Sequence, residues 1–511
     1  MSGPVATPSP CAAETGVLHE VLIIGAGFAG LGMAMQLVRQ GERRFVILEQ
    51  GHEVGGTWRD NHYPGCACDV PSHLYSYSFE PHPGWSRMYA GHEEIQAYLL
   101  RCTEKYGLRP HLHLDTTVVE ARFDEDQQHW QVLTQEGQCW RARVLVSALG
   151  GLSRPSVPTL PGIDHFQGPA FHSARWRHDI DWQGKRVAVV GTGASAIQII
   201  PQLQRMAGQV HVLQRTPAWV LPKDDHPITA RQQAWLRHVP GLQKLWRHLI
   251  YWRQELLAIG FVWHPKLMAR GEKLATRYLY KHVRDPALRD KLLPRYTLGC
   301  KRILLSNDYY KALTQPNVHV HDSRELQRVT DRGLLMGEQE VPVDVIVYGT
   351  GFQAAQGPSP LRIIGRGGLN LDTVWARDGM NAYNGMQVNG FPNLFLLLGP
   401  NTALGHNSVV FMIETQVQLV LQALKALRRK DAGTIEVRPE AQARYRAMID
   451  HRTLRTVWKS GCESWYLDAQ GRNVTLWPGF TISYWWRLRR LRAQDFLWEP
   501  RSALARASRP V

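Results

Sequence analysis

Two glycine-rich turns carry residues whose types and spacing can do chemistry. In the first, the apolar run VLII (21–24) enters Gly25-Ala26-Gly27-Phe28-Ala29-Gly30, the segment LGMAMQLVRQ has helical spacing, and the next run, FVILE, ends on Glu49. Glycines here permit a tight turn and close backbone approach to a pyrophosphate. The helix that follows aims its N-terminus at the phosphates, and an acid about 20 residues on holds a ribose diol. In the second, VAVV (187–190) enters Gly191-Thr192-Gly193-Ala194-Ser195-Ala196, the helical IQIIPQLQRM follows, and VHVL delivers Gln214-Arg215-Thr216. Shifting the first pattern by 166 residues places Gly25 on Gly191 and Glu49 on Arg215. A guanidinium beside a hydroxyl suits a 2′-phosphate, which a carboxylate would repel. The first turn therefore predicts a nucleotide with a free ribose, such as FAD, and the second predicts NADPH.

The elements that position these turns alternate strand and helix, so the expected fold class is α/β: two doubly wound Rossmann-like dinucleotide-binding domains with a helical insertion. Two further strand-to-glycine exits, VLVSALGGLSRP (144–155) and DVIVYGTGF (344–352), bracket the second turn and read as the two crossings between the domains. This gives an FAD domain over 1–154 and 355–511, an NADPH domain over 155–226 and 297–354, and a helical insertion over 227–296. The insertion is rich in Trp, Leu and Arg and poor in acids. It is expected to roof a hydrophobic channel as a buried helical subdomain with snorkelling cations, a reading preferred to contact with a membrane surface.

Composition narrows the partners. The 511 residues are 44% hydrophobic and 20% charged, ordinary for a globular chain. No window approaches the roughly 18 uninterrupted apolar residues of a membrane span. MSGPVATPSPCAAETGV has neither a basic start nor an apolar core, so it reads as an irregular lead and the expected location is cytoplasmic. The net charge of +16 is spread along the chain without a nucleic-acid-binding signature, which leaves attraction to an anionic surface or sites for polyanionic cofactors as its uses. The seven cysteines indicate neither a disulfide framework nor a metal site, and Cys66 and Cys68 are expected to be structural thiols.

The stretch FQGPAFHSARW (166–176) spaces Phe166, Gly168, His172 and Trp176 as helix or strand periodicity would not require. It resembles the F-x-G-x-x-x-H-x-x-x-W signature of the Baeyer–Villiger monooxygenases. GGTWRDNHYPGCACD resembles a second signature of that family through Gly55, Gly56, Trp58, Tyr63, Pro64, Gly65 and Asp69. The likeness runs from about residue 20 to about 490. It departs at Arg177, where the family usually has Pro or Asp. The related N- and S-oxygenating flavin monooxygenases usually carry Tyr or Phe where this chain has Trp176, and such oxygenation is the alternative reading.

The resemblance implies insertion of one oxygen atom from O2 beside a ketone carbonyl, giving an ester or lactone, with FAD and NADPH as cofactors. It casts the 166–176 stretch as a joint between domains, geometric in its role. On this basis the FAD site is expected to comprise Gly25, Gly27, Phe28, Gly30, Glu49, Gly56, Thr57, Trp58, Asp69, Tyr75 and Val118. The NADPH site is expected to comprise Gly191, Thr192, Gly193, Ala194, Ser195, Ala196, Gln198, Arg215, Thr216, Lys301, Arg302 and Trp465. GCKRILLSNDYY (299–310) resembles the segment whose Lys-Arg pair reaches the nicotinamide and flavin, and CESWY (462–466) the one that brings a Trp onto the cofactor. Arg302, partnered by Asp69, is the expected catalytic pair.

Overall fold

A computed structural model describes residues 14–353, 361–462 and 464–507. Two parallel sheets organise the chain. The first is centred on the strand Glu14–Ile24, which runs parallel to Phe45–Leu48 on one side and to Cys139–Ser147 on the other. Leu394–Leu396 returns to lie parallel against Cys139–Ser147, and Val118–Asp124 and His129–Thr134 extend the sheet in an antiparallel arm. The second sheet has five strands, all parallel, in the spatial order Val318–Asp322, Gln209–Gln214, Arg186–Val190, Val345–Tyr348, Ala170–His172. Central strands of such sheets are covered on both faces, and this is why VLII, FVIL, VAVV and VIVY read as unbroken apolar runs. Ile23, Ile47, Val146, Val189 and Val347 are accordingly fully buried.

The opening strand already includes Glu14–Val17, within the stretch expected to be an irregular lead. The remainder of that lead, and the expected boundary at 354/355, lie outside the described residues. The two glycine exits run side by side: Ser156 N donates to Gly351 O at 2.8 Å, and Gln353 N donates to Arg154 O at 2.9 Å. The chain thus enters and leaves the second sheet at one place. The helix Val409–Arg429 is long and apolar enough to cross a membrane, but thirteen of its 21 residues are buried within the fold.

Residues 227–296 form helices Ala230–His238, Leu242–Ala258, Met268–His282 and Pro286–Leu292. The second of these is anchored through Glu255, whose buried carboxylate accepts from Asn407 Nδ2, Thr481 Oγ1 and Ile482 N at 2.7–3.0 Å. The expectation of a buried subdomain needs correction, because one whole side of that helix is solvent-facing. A helix that is apolar on both faces does not show in its periodicity which face is covered.

A histidine in the second sheet makes stability depend on pH. His211 is 6% exposed, meets His321 Nε2 at 3.1 Å through Nδ1 and stacks beside His319. Burial first, then the two neighbouring rings and Arg186, push it down to about 4. The unfolded chain therefore binds more protons below the ordinary imidazole value. The stability contributed by neutral His211 is complete above about pH 6.5 and is lost as pH falls toward 4. Thermal unfolding followed from pH 7 to pH 5 should show a falling Tm, and His211→Asn should remove about 2 kcal/mol of that loss. Parallel pH profiles for the two proteins would refute the assignment.

Candidate active site between two nucleotide loops

The first glycine turn is built so that no side chain fits. Gly25 has φ +101°, and a Cβ there would stand 2.7 Å from Ala148 O. One on Gly30 would stand 1.8 Å from Gly25 O, backbone against backbone. The helix Phe28–Arg39 begins from Gly27 with no side-chain cap, so its first N–H groups keep their capacity for an anion. Gly56, at φ +54°, packs against Gly27 and opens the short helix Thr57–Asp60. Glu49 is held where the ribose acid is needed: Oε2 accepts from Ala26 N at 2.7 Å, and Oε1 from Gly51 N and Arg59 Nη1, both at 2.8 Å. A carboxylate oxygen can accept twice, so Oε2 keeps capacity for a diol. Tyr75 sits edge-on to both Phe28 and Trp58, and Trp58 Nε1 donates to its hydroxyl at 3.3 Å. Val118 opens its strand two residues beyond Thr116, whose N donates to Glu49 O at 2.8 Å. This cradle and its acid fit FAD.

The second turn repeats the construction. Gly191 has φ +109°, and a Cβ there would stand 2.6 Å from Gly349 O, while a Cβ on Gly349 would stand 2.9 Å from that of Ala196. Gly193 and Ala194 lead to Ser195, the N-cap of the helix Ala196–Met206, again with no side-chain hydrogen bond capping the helix. Thr192 Oγ1 donates to Thr216 O at 3.0 Å, tying the turn to the strand end that carries Arg215. Arg215 is exposed and makes no ion pair with any described residue. A cation so placed beside an uncapped helix fits the 2′-phosphate of NADPH.

Gln198 is used differently from what its place in the second fingerprint suggests. Its Oε1 accepts from Tyr63 OH at 3.0 Å and its Nε2 donates to Ala67 O at 2.9 Å. Both ends of the amide thus clasp the GGTWRDNHYPGCACD segment of the first nucleotide site. Gly65, at φ +80°, lies against the same helix, where a Cβ would come within 2.9 Å of Gln198 O.

Between the two turns the predicted pair meets. Arg302 Nε donates to Asp69 Oδ2 at 2.9 Å, and Nη2 donates to the same oxygen. Burial alone would push the Asp69 carboxyl up, but the guanidinium holds it below the ordinary carboxylate range. Asp69 in turn, against the effect of burial, holds Arg302 above its usual value. Lys301 lies over the Tyr296 ring at 5.1 Å, and Tyr296 OH donates to Pro217 O at 3.2 Å, next to Thr216. Trp465 remains 42% exposed, whereas its neighbour Tyr466 is fully buried and within electrostatic reach of Arg302 and Asp69. Burial pushes Tyr466 up to about 12, so its hydroxyl keeps its proton at neutral pH.

Three features of this centre were not read from the sequence. Tyr466 was passed over for Trp465. Lys223, over the Tyr89 ring at 4.9 Å, faces Asp69 and Cys68, and burial holds it below the usual amine range. Its strand Val220–Leu221 pairs with Leu304–Leu305, just beyond Arg302, and that pairing is what brings Lys223 to the site. The third overturns the expectation of no disulfide: Cys300 and Cys462 are joined, tying the segment of Lys301 and Arg302 to that of Trp465 and Tyr466 across 162 residues. Cys66 and Cys68 are free and buried, as expected.

Three marked residues of the 166–176 stretch, Gly168, His172 and Trp176, are engaged in packing and backbone bonds. His172 Nδ1 accepts from Ala174 N at 3.1 Å, which leaves Nε2 as the donor to Gly351 O at 2.9 Å. Both ring nitrogens are committed at the crossing, and burial lowers the pKa so the ring stays neutral. Trp176 stacks on Trp182, and a Cβ on Gly168 would strike Asp344 O at 2.3 Å.

Residues 18–228 match a family described as flavin-binding monooxygenase-like. A Baeyer–Villiger monooxygenase of Pseudomonas aeruginosa is 47% identical over 95% of this chain and 91% of its own. One of Streptomyces coelicolor is 46% identical over 95% and 94%. Among solved structures, an oxidised steroid monooxygenase bound to NADP superposes with a TM-score of 0.84 at 31% identity, covering 94% of this chain and 100% of that one. With two nucleotide turns, an arginine–aspartate pair between them and this degree of likeness to its relatives, the chain belongs to the Baeyer–Villiger monooxygenase family.

Proposed function

We propose that Arg302, held by Asp69, is the charge-stabilising group of an FAD- and NADPH-dependent oxygenation of ketones. The observation that carries this is the Arg302–Asp69 ion pair, which joins a segment following the first nucleotide turn to one following the second. FAD would be held by the Gly25–Gly30 turn, Glu49 and the Phe28–Tyr75–Trp58 cluster, within 1–154 and 355–511. NADPH would be held by the Gly191–Ala196 turn with Arg215 and Thr216, within 155–226 and 297–354. Reduced by NADPH, bound FAD supplies the redox chemistry by which one atom of O2 enters the bond beside a ketone carbonyl and the other leaves as water. We assign the reaction to the cytoplasm and its partners to O2 and a small ketone.

The protein's share is position and charge. Arg302 commits Nε and Nη2 to Asp69, and Nη1 takes part in neither bond. A fixed guanidinium stabilises negative charge developing on oxygen more strongly in a dry site than in water, and it needs no reorganisation when that charge appears. Asp69 is the positioning residue that keeps the fork from turning away. Lys223, within electrostatic reach of Asp225 and Asp69, adds a second cation near the pair. Product analysis over a panel of linear, cyclic and aromatic ketones tests the reading, with esters or lactones expected. Oxidation of thioethers or amines in their place would overturn it.

Arg302→Ala should retain FAD and its reduction by NADPH while returning oxygen as hydrogen peroxide. Its ester formation should fall about a hundredfold or more, roughly 3 kcal/mol. Ester formed at the parental rate by the folded, flavin-loaded variant would remove Arg302 from this role. Arg215→Ala should weaken NADPH about ten- to hundredfold and leave NADH nearly unchanged. Equal loss for both nucleotides in steady-state kinetics would reduce Arg215 to a support of the fold.

A further inference from the structure

The insertion helix Leu242–Ala258 buries Ile250, Tyr251, Glu255 and Ala258 on one side. On the opposite side Leu245, Leu249, Trp252 and Leu256 are 57%, 55%, 52% and 63% exposed. Their spacing of four, three and four residues sets them in a single row. Trp263, 60% exposed in the turn Ile259–Trp263 that continues the helix, lies beyond the end of the row. A contiguous apolar strip of this length on a solvent-facing helix calls for a partner.

The surrounding charge selects the partner. Residues 230–282 contain ten Lys and Arg but two acids, Glu255 and Glu272. Nine of those cations are exposed and neither acid is, Glu255 being buried and Glu272 accepting from Leu298 N at 2.9 Å. A second copy of the chain seated on this row would bring like charges together. An anionic lipid surface meets both properties, with apolar side chains in the acyl boundary, cations at the headgroups and tryptophan rings at the interface between them. The neighbouring helix Thr481–Leu488, bonded to this one through Ile482 and Glu255, adds exposed Trp485 and Trp486.

We propose that the Leu245–Leu249–Trp252–Leu256 row, extended by Trp263, is a docking surface for an anionic lipid bilayer. The helix lies in the interfacial plane with this row turned toward the membrane. Phe261, in the same turn as Trp263, packs on Gly299, where a Cβ would stand 3.0 Å from its ring. The docked face therefore lies close in the fold to the segment that carries Arg302, a short path for a ketone dissolved in lipid. Docking does not depend on the assigned reaction, and its test reads binding alone.

The full-length, flavin-loaded protein is floated with vesicles of phosphatidylcholine alone and with vesicles containing about 30% phosphatidylserine. Binding to the anionic vesicles should be at least about tenfold stronger, with a blue shift of tryptophan emission. The combined change Leu249→Glu, Trp252→Glu and Leu256→Glu should abolish it. Lys266→Glu with Arg270→Glu should remove the preference for anionic vesicles and leave the apolar row intact. Both variants should keep their flavin colour and their oxidation of NADPH in the absence of vesicles. Failure of the parent to bind, equal binding to both vesicles, or full binding by the triple variant would overturn the proposal. So would a dimer in sedimentation velocity that the triple variant dissolves, which would assign the row to a second copy.

Discussion

The ion pair between Arg302 and Asp69 is the constraint around which the centre of this molecule is arranged. Its two residues lie 233 positions apart, one following the first nucleotide turn and one following the second. A planar fork gripping one carboxylate oxygen tolerates little displacement, so each flanking segment must be fixed independently. Asp69 is fixed through the Gln198 clasp on Ala67 and Tyr63, and Arg302 through the Cys300–Cys462 link and the Leu304–Leu305 pairing. A charge pair of this kind is weak evidence for stability in itself. What it does is hold a cation at a defined place between two distant segments of the chain.

The fold was legible because its signals are backbone requirements. Gly25, Gly30 and Gly191 occupy places that exclude a Cβ, and the parallel strands must be apolar on both faces, so the sequence shows both directly. The Arg215-for-Glu49 exchange was equally plain, since one strand end must present opposite charge to a 2′-phosphate and to a ribose diol. What escaped reading depended on contacts between distant segments. Nothing near Gln198 announces that its amide will cross to Tyr63, and nothing near Lys223 places it beside Asp69. Cys300 and Cys462 become neighbours only when two loops 162 residues apart converge. Trp465 and Tyr466 are adjacent, and which of them turns inward is a matter of packing that a motif does not encode.

The surplus of positive charge likewise separates into uses that composition blends together. Arg302 and Lys223 stand by Asp69, Arg215 is exposed at a strand end, and many surface arginines pair with nearby acids, as Arg177 does with Asp179 and Arg324 with Asp322. Around the apolar row of the insertion, by contrast, nine exposed cations of residues 230–282 stand with no exposed acid among them. Local imbalance, rather than the total, distinguishes that surface from the rest.

The return of Leu394–Leu396 to the first sheet has a consequence for how the protein is made. The Asn393 side chain donates to Arg143 O across 250 residues, and the strand that follows completes the pairing along Cys139–Ser147. On the ribosome the early strands emerge long before their last neighbour. At about 5–20 residues per second, the edge of Cys139–Ser147 waits on the order of ten to fifty seconds for that neighbour. During that interval the end of the strand at Leu145–Ser147, beyond its pairing with His129–Thr134, presents an unpaired edge, while the second sheet, whose own strands span 170–348, can close first. The strands of the second sheet are therefore all synthesised before the first sheet receives its last neighbour, and it is over that interval that a chaperone's hold would count most.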